Sequence, residues 1–149
     1  MLDSIYRMAL NTEKSKIYPG IPEYFDSEGR GLYHYLTGSA SWYILTLLTQ
    51  VFGVRGLYGD LLLQPKLVKE QFGAKGEAGV ETYFAGKFFH ILYKNPKKIA
   101  YEYYCVSRVA VNGQELKEVE LLKKETKIPR ELLLKTARKA KNAIVITLE

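Results

Sequence analysis

Over residues 39–52 the sequence SASWYILTLLTQVF spaces apolar side chains all round a helix, and from Tyr58 onward the apolar spacing shortens to every second residue. A helix lines one face every 3.6 residues and a strand every two, so the two patterns cannot belong to one element. The chain must join a helical part to a sheet part. Trp42, Tyr43, Ile44, Leu45, Leu47, Leu48, Val51 and Phe52 leave the helix almost no polar side, and such a helix is stable only when neighbours enclose it. Gly53 stands where a left-handed residue closes a helix.

The period-two region contains candidate strands at 60–64, 80–85, 87–94, 101–111 and 143–148, with turn signals at 73–79, 95–96 and 112–113. Within 101–111, Tyr101, Tyr103, Cys105, Val109 and Val111 share one face, and Glu102, Tyr104, Val106, Arg108 and Ala110 share the other. That division suits an antiparallel sheet with one wet face. Cys105, on the apolar face, reads as an inert buried thiol. The segment 128–133 reads as a helical turn before the last strand. Upstream, Leu2, Ile5, Tyr6 and Leu10 lie at helix spacing, and the Gly-, Pro- and Tyr-rich residues 11–36 read as a long ordered loop of the kind that usually carries function.

A length of 149 residues suits one ordinary domain, or one small domain with an attached fragment. No stretch approaches the ~20 apolar residues of a membrane span. The opening MLDSIYRMALNTEKSK has neither the basic nor the apolar region of a signal peptide, which makes the cytoplasm the expected location. The single cysteine excludes an internal disulfide. The net charge of +6 gathers at Lys135, Arg138, Lys139 and Lys141, with smaller pairs at Lys97-Lys98 and Lys123-Lys124. These alternate with Glu118, Glu120, Glu125 and Glu131, which describes a mixed solvated surface, so no nucleic acid or membrane partner is expected.

Residues 29–42 read GRGLYHYLTGSASW and lead straight into the helix. Thr37, Gly38 and Ser39 fall on its N-terminus, where unpaired N–H groups and the positive end of the dipole attract an anion. The simpler alternative is an N-cap, with the Thr37 or Ser39 hydroxyl accepting from the helix backbone. YLTGSASW, preceded by IPEYF and followed by FGVRG, resembles the closing segment of the glycoside hydrolase family 94 phosphorylases, the cellobiose, chitobiose and β-1,2-oligoglucan phosphorylases. The resemblance runs through nearly the whole chain and covers only the C-terminal part of such an enzyme.

The resemblance implies a fold class of α+β: residues 1–57 as the last helices of an (α/α)6 barrel with the phosphate-binding turn, and 58–149 as a C-terminal antiparallel β-sandwich, jelly-roll-like. It implies that Thr37 and Gly38 bind the attacking phosphate. The family reaction is reversible, inverting phosphorolysis of a β-glycosidic bond. An inverting hydrolase needs one carboxyl group as acid and a second as base to activate water. Phosphate is already an anionic nucleophile, so one acid suffices. In the family that acid is an aspartate in an earlier barrel segment, and nothing in residues 1–28 looks like it. No catalytic residue is therefore expected here, and the chain is expected to be inactive alone.

Glu23, Tyr24 and His34 are the candidate substrate-binding residues. Glu23 is placed to accept from sugar hydroxyls, and His34 lies three residues before Thr37. Asp26 and Glu28 read as surface loop residues and His90 as strand packing. Two histidines this far apart give no zinc site. Tyr18, Tyr24, Phe25, Tyr33, Tyr35 and Trp42 make residues 18–42 strongly aromatic, which suits either stacking on sugar rings or packing of the loop. Inorganic phosphate is the expected co-substrate, without a further cofactor. The expected partners are a β-linked oligoglucan and phosphate in the intact enzyme, with self-association or a separate barrel fragment covering the helix. The alternative reading is a non-catalytic carbohydrate-binding or interaction module.

Overall fold

The computed structural model describes residues 1–17, 20–33, 38–117 and 119–149. The fold is mixed α+β and mostly sheet. The chain divides into two compact units, Met1–Leu47 and Leu48–Glu149.

The first unit opens with α1 (Leu2–Leu10), on which Arg7 reaches back one turn to Asp3. Asn11 ends α1, and its side chain accepts from the Lys14 N–H to cap the single-turn α2 (Thr12–Ser15). Next come β1 (Tyr24–Phe25) and β2 (Gly31–Leu32), paired antiparallel. Asp26 closes their turn, its carboxylate accepting from the backbone of Glu28 and Arg30 at 2.9 Å each. The stretch expected to be one loop thus contains a helical turn and a two-strand ribbon. α3 (Ser39–Thr46) follows and runs into a π-helical turn at Leu47–Val51. The turn ends at Gly53, whose φ of +68° is left-handed as expected. Any Cβ there would overlap the carbonyl of Gln64.

The second unit comprises β3 (Val54–Leu57), β4 (Asp60–Leu63), β5 (Glu77–Phe84), β6 (Lys87–Lys94), β7 (Val106–Val111), β8 (Gln114–Glu115), β9 (Glu120–Leu122), β10 (Glu125–Ile128), α4 (Arg130–Thr136) and β11 (Asn142–Leu148). One sheet has the order β3-β4-β10-β9, antiparallel throughout. The other has the order β5-β6-β11-β7-β8. Here the expectation of an antiparallel sandwich needs correction, because β11 runs parallel to β6 and antiparallel to β7. The chain leaving α4 arrives at Asn142 opposite Phe89, near the start of β6, so the last strand runs in the direction of β6.

Alternation along the strands builds the core. Phe89, Ile91 and Tyr93 of β6, Ile144, Ile146 and Leu148 of β11, and Val109 and Val111 of β7 share one buried cluster with Val54, Leu61, Leu63 and Ile128 of the other sheet. Burying each such side chain is worth roughly 1.5–3 kcal/mol, which is what holds the two sheets face to face. α4 adds Leu133 to the same cluster. Its proline N-cap offers no side-chain acceptor, and the Asp60 carboxylate takes the Arg130 N–H at 2.9 Å instead.

The strand expected over 101–111 is shorter. Residues 101–103 form a turn, and the strand carries a bulge, since Leu148 faces Val106 whereas Thr147 faces Arg108. The extra residue, Ser107, reverses the in-out alternation. Tyr104 and Val106 therefore share the buried side with Val109 and Val111. Cys105 moves off that side and is half-buried, not fully enclosed. His90 lies on the same face as Phe88 and Leu92, but it is exposed, opposite Glu81. Among the described residues no helix is long and apolar enough to cross a membrane.

Two buried tyrosines fasten loops to the core. The Tyr104 hydroxyl donates to the Pro65 carbonyl at 3.0 Å and accepts from the Leu67 N–H at 3.1 Å. The Tyr93 hydroxyl donates to the Phe52 carbonyl at 2.5 Å. Burial pushes both phenols well above the ordinary tyrosine value of 10.0, since neither ring can shed its proton without leaving a charge in the core.

The folded state therefore keeps two protons that the unfolded chain releases above pH ~10, and stability must fall as pH rises through that value. Urea midpoints measured on either side of it should show the loss, and Tyr93→Phe or Tyr104→Phe should reduce the slope. Among the described residues the fully buried Thr126 hydroxyl has no hydrogen-bond partner. Thr126→Val should accordingly be neutral or stabilising by up to about 1 kcal/mol. Asn142→Ala, which removes a buried amide bonded to the backbone of Phe88, Arg138 and Ala140, should cost about 1–3 kcal/mol in the same measurement.

Candidate functional site

The helix start and the β1 segment of the first unit meet at a shallow groove of about 340 Å³, lined among others by Pro22, Glu23, Tyr24, Ser39, Trp42 and Tyr43. The two walls come from different parts of the sequence. Glu23 is set by its backbone, whose N–H donates to the carbonyls of Leu32 and Tyr33. Tyr24 follows on β1, with its ring 5.8 Å from that of Tyr33. The other wall is α3. Leu2 and Ile5 of α1 also line the groove, and the Tyr43 hydroxyl donates to the Leu2 carbonyl at 3.3 Å. Desolvation raises the Tyr43 pKa, with Asp3 and then Tyr6 adding to the effect, so this hydroxyl remains a donor at neutral pH.

Gly38 is the N-cap of α3 and brings no side chain that could cap it. The indole of Trp42 lies over it, and a Cβ at position 38 would stand 3.0 Å from Trp42 Cδ1. The turn is thus shielded by an aromatic ring on one side. Ser39, the first residue of the helix, faces the groove. Of the residues expected to form the site, Gly38, Glu23 and Tyr24 are described, with the last two in the groove. Thr37 and His34 lie outside the described residues.

The aromatic surface is presented to solvent. Trp42 is 68% exposed, Tyr33 65% and Tyr24 48%. Ile44 and Leu45 of α3 are also exposed, and no residue of α3 is buried. The sequence pattern identified this apolar helix. It gave no sign that α1 would supply part of the groove, although Leu2 and Ile5 are spaced to share a helix face.

The electrostatics distinguish two classes of ligand. Among the described residues Glu23 is the only charged side chain lining the groove, and it is a carboxylate. A helix N-terminus contributes roughly 0.3–2 kcal/mol towards an anion. A millimolar site requires about 4 kcal/mol, so the helix end together with a nearby carboxylate does not make a strong phosphate site. The groove fits a neutral polyol better. Ring faces are available for sugar C–H groups, Glu23 can accept from hydroxyls, and the Ser39 and Tyr43 hydroxyls border the same space.

Trp42 is the only tryptophan in the chain, so its fluorescence reports on this groove alone. It should emit as a solvent-exposed indole and be readily quenched by acrylamide. A β-glucan oligosaccharide seated on the ring should reduce quenching and shift emission to the blue. Unchanged quenching at saturating glycan would show that the groove does not bind sugar.

No protein-family model matches the chain, and no curated protein matches it in sequence.

Proposed function

We propose that this chain is the C-terminal portion of an inverting glycoside phosphorylase acting on β-linked glucans in the cytoplasm. In this reading residues 1–57 close a helical barrel and present the phosphate-binding turn Thr37-Gly38, with inorganic phosphate as co-substrate. The observation that supports it most is the joining of the Gly38 turn, the first residue of α3 and the aromatic groove of Glu23, Tyr24 and Trp42 in one place. A phosphorylase needs a nucleophilic anion beside a bound sugar, and a helix N-terminus next to ring faces meets both needs in outline.

The chemistry assigned to this chain is positioning. Backbone N–H groups at the helix start orient phosphate, and the groove orients the sugar that it attacks. The proton for the leaving oxygen comes, by the resemblance, from an aspartate outside these 149 residues. Glu23 stands at a sugar-binding wall and is not assigned that role. The exposed apolar face of α3 fits the same reading, because Trp42, Ile44 and Leu45 would be covered by further barrel helices or by a second copy.

A second reading follows from the same groove. The exposed rings of Tyr24 and Trp42 beside the Glu23 carboxylate also describe a carbohydrate-binding module without chemistry. The two readings separate on phosphate.

Incubation of the chain with β-1,2- and β-1,4-linked oligoglucans plus phosphate should yield no sugar 1-phosphate, because loss of general acid catalysis alone removes ~10²–10⁴-fold in rate. Amide shifts at Gly38 and Ser39 on adding millimolar phosphate, strengthened by glycan, would support the phosphorylase reading. Glycan binding with no response to phosphate would leave the binding module. Robust turnover by the isolated chain would overturn the assignment of the acid elsewhere and direct attention to Glu23.

A further inference from the structure

The five-stranded sheet ends in a second pocket, of about 410 Å³, between the β5–β6 turn and the α4–β11 connection. Its walls include Tyr83, Lys87, Phe88, Lys139 and Lys141. We propose that this pocket binds a small phosphate ester that carries a ring, with the lysines taking the phosphate and Tyr83 the ring face.

The charge is unbalanced. Among the described residues no acidic side chain lines the pocket and none of the three lysines is in an ion pair. Elsewhere on the same unit Lys94 and Lys127 are paired with Glu77 and Glu120. Three lysines lining one concavity give it a net positive charge, and a dianion is the ligand that best offsets it. A phosphate monoester carries close to that charge at neutral pH.

The walls are also built. Asn142 is 1% exposed, and its side-chain amide donates to the carbonyls of Phe88 and Ala140 at 3.1 Å each. One buried residue therefore ties the β6 wall to the loop that holds Lys139 and Lys141 on either side of Ala140. The Arg138 N–H donates to the Asn142 Oδ1 at 2.6 Å and fixes the other end of that loop. A pocket held this way loses little freedom when a ligand enters.

The aromatic pair supplies the second half of the recognition. Tyr83 makes a T-shaped contact with Phe88, centroids 5.2 Å apart, and is 74% exposed, so its position is supported while most of the ring stays accessible. Sugar rings and nucleobases both stack on such a face. The volume falls within the range of small-ligand pockets, roughly 300–1,000 Å³. The shared ligand chemistry is a phosphate on a ring-bearing body, and its two sources are a sugar phosphate and a nucleotide. The pocket shares no residue with the groove of the first unit, and the proposal does not depend on the phosphorylase reading.

The test is a ¹⁵N-resolved titration of the full chain at low ionic strength with inorganic phosphate, a hexose phosphate and a nucleoside 5′-monophosphate in turn. At least one ester should bind about tenfold more tightly than inorganic phosphate, with shifts centred on Gly86, Phe88 and Ala140. The better ester identifies the ring. Lys139→Gln combined with Lys141→Gln should weaken binding by about tenfold or more while leaving the remaining spectrum folded, and added salt should do the same. Tyr83→Ala should remove the advantage of the ester and leave inorganic phosphate unaffected. Equal affinity for phosphate and both esters, ester binding unchanged in the lysine variants, or shifts confined to residues outside this pocket would each overturn the proposal.

Discussion

A buried side-chain amide decides how the larger unit closes. Asn142 donates to the carbonyls of Phe88 and Ala140, accepts from the Arg138 N–H, and accepts from the Asn112 amide at 3.0 Å. Asn112 in turn donates to the Thr136 carbonyl and accepts from the Ala143 N–H. These two residues link the start of β6, the end of α4, the entry to β11 and the β7–β8 turn. Such a set of groups is costly to bury unless every member is satisfied, and satisfied it permits one arrangement only. β11 is the central strand of its sheet, so the register of β6 on one side and β7 on the other follows from where this node sets its first residue.

The two units draw on different resources. In the second, one continuous cluster of aliphatic and aromatic side chains lies between two sheets, and buried tyrosine hydroxyls tie the connecting loops to it. In the first, Ala9 and Ile17 are the buried hydrophobic residues among those described, while Trp42, Ile44 and Leu45 face outward. Local devices carry more of its order, among them the Asn11 cap, the Asp26 turn and the Tyr43 bond to α1. Apolar burial supplies most of the free energy of a fold. The first unit thus has less of its own, and its exposed helix face is a surface that gains by being covered.

Charge separates the two concave sites as sharply as shape does. Among the described residues the groove of the first unit has aromatic rings and one carboxylate, which favours an uncharged polyol over an anion. Among the described residues the pocket of the second unit has three lysines and no carboxylate, with an aromatic ring at its side.

Local pattern was enough to read the elements whose residues choose their own conformation. The helix from Ser39, its close at Gly53, the strand Lys87–Lys94 and the helical turn after Pro129 all follow from spacing and from caps a few residues away. The short strands β3, β9 and β10 do not show in the spacing, because three or four residues carry too little periodicity, and each exists through its partner: β3 and β10 pair with β4, and β9 pairs with β10. The bulge at Ser107 is a long-range effect of the same kind, set by pairing with β11, and it moved Cys105 off the apolar face that strict alternation assigned to it. Sequence order likewise placed Lys139 and Lys141 in a mixed run of surface charge, whereas the fold carries them to Lys87 and Tyr83, more than fifty residues away. The sequence by itself determined the helical and sheet parts and the turn between them, because those depend on neighbours along the chain. Tertiary structure decided the parallel last strand, the in-out parity of β7 and the grouping of the lysines, because each depends on a partner that sequence spacing does not record.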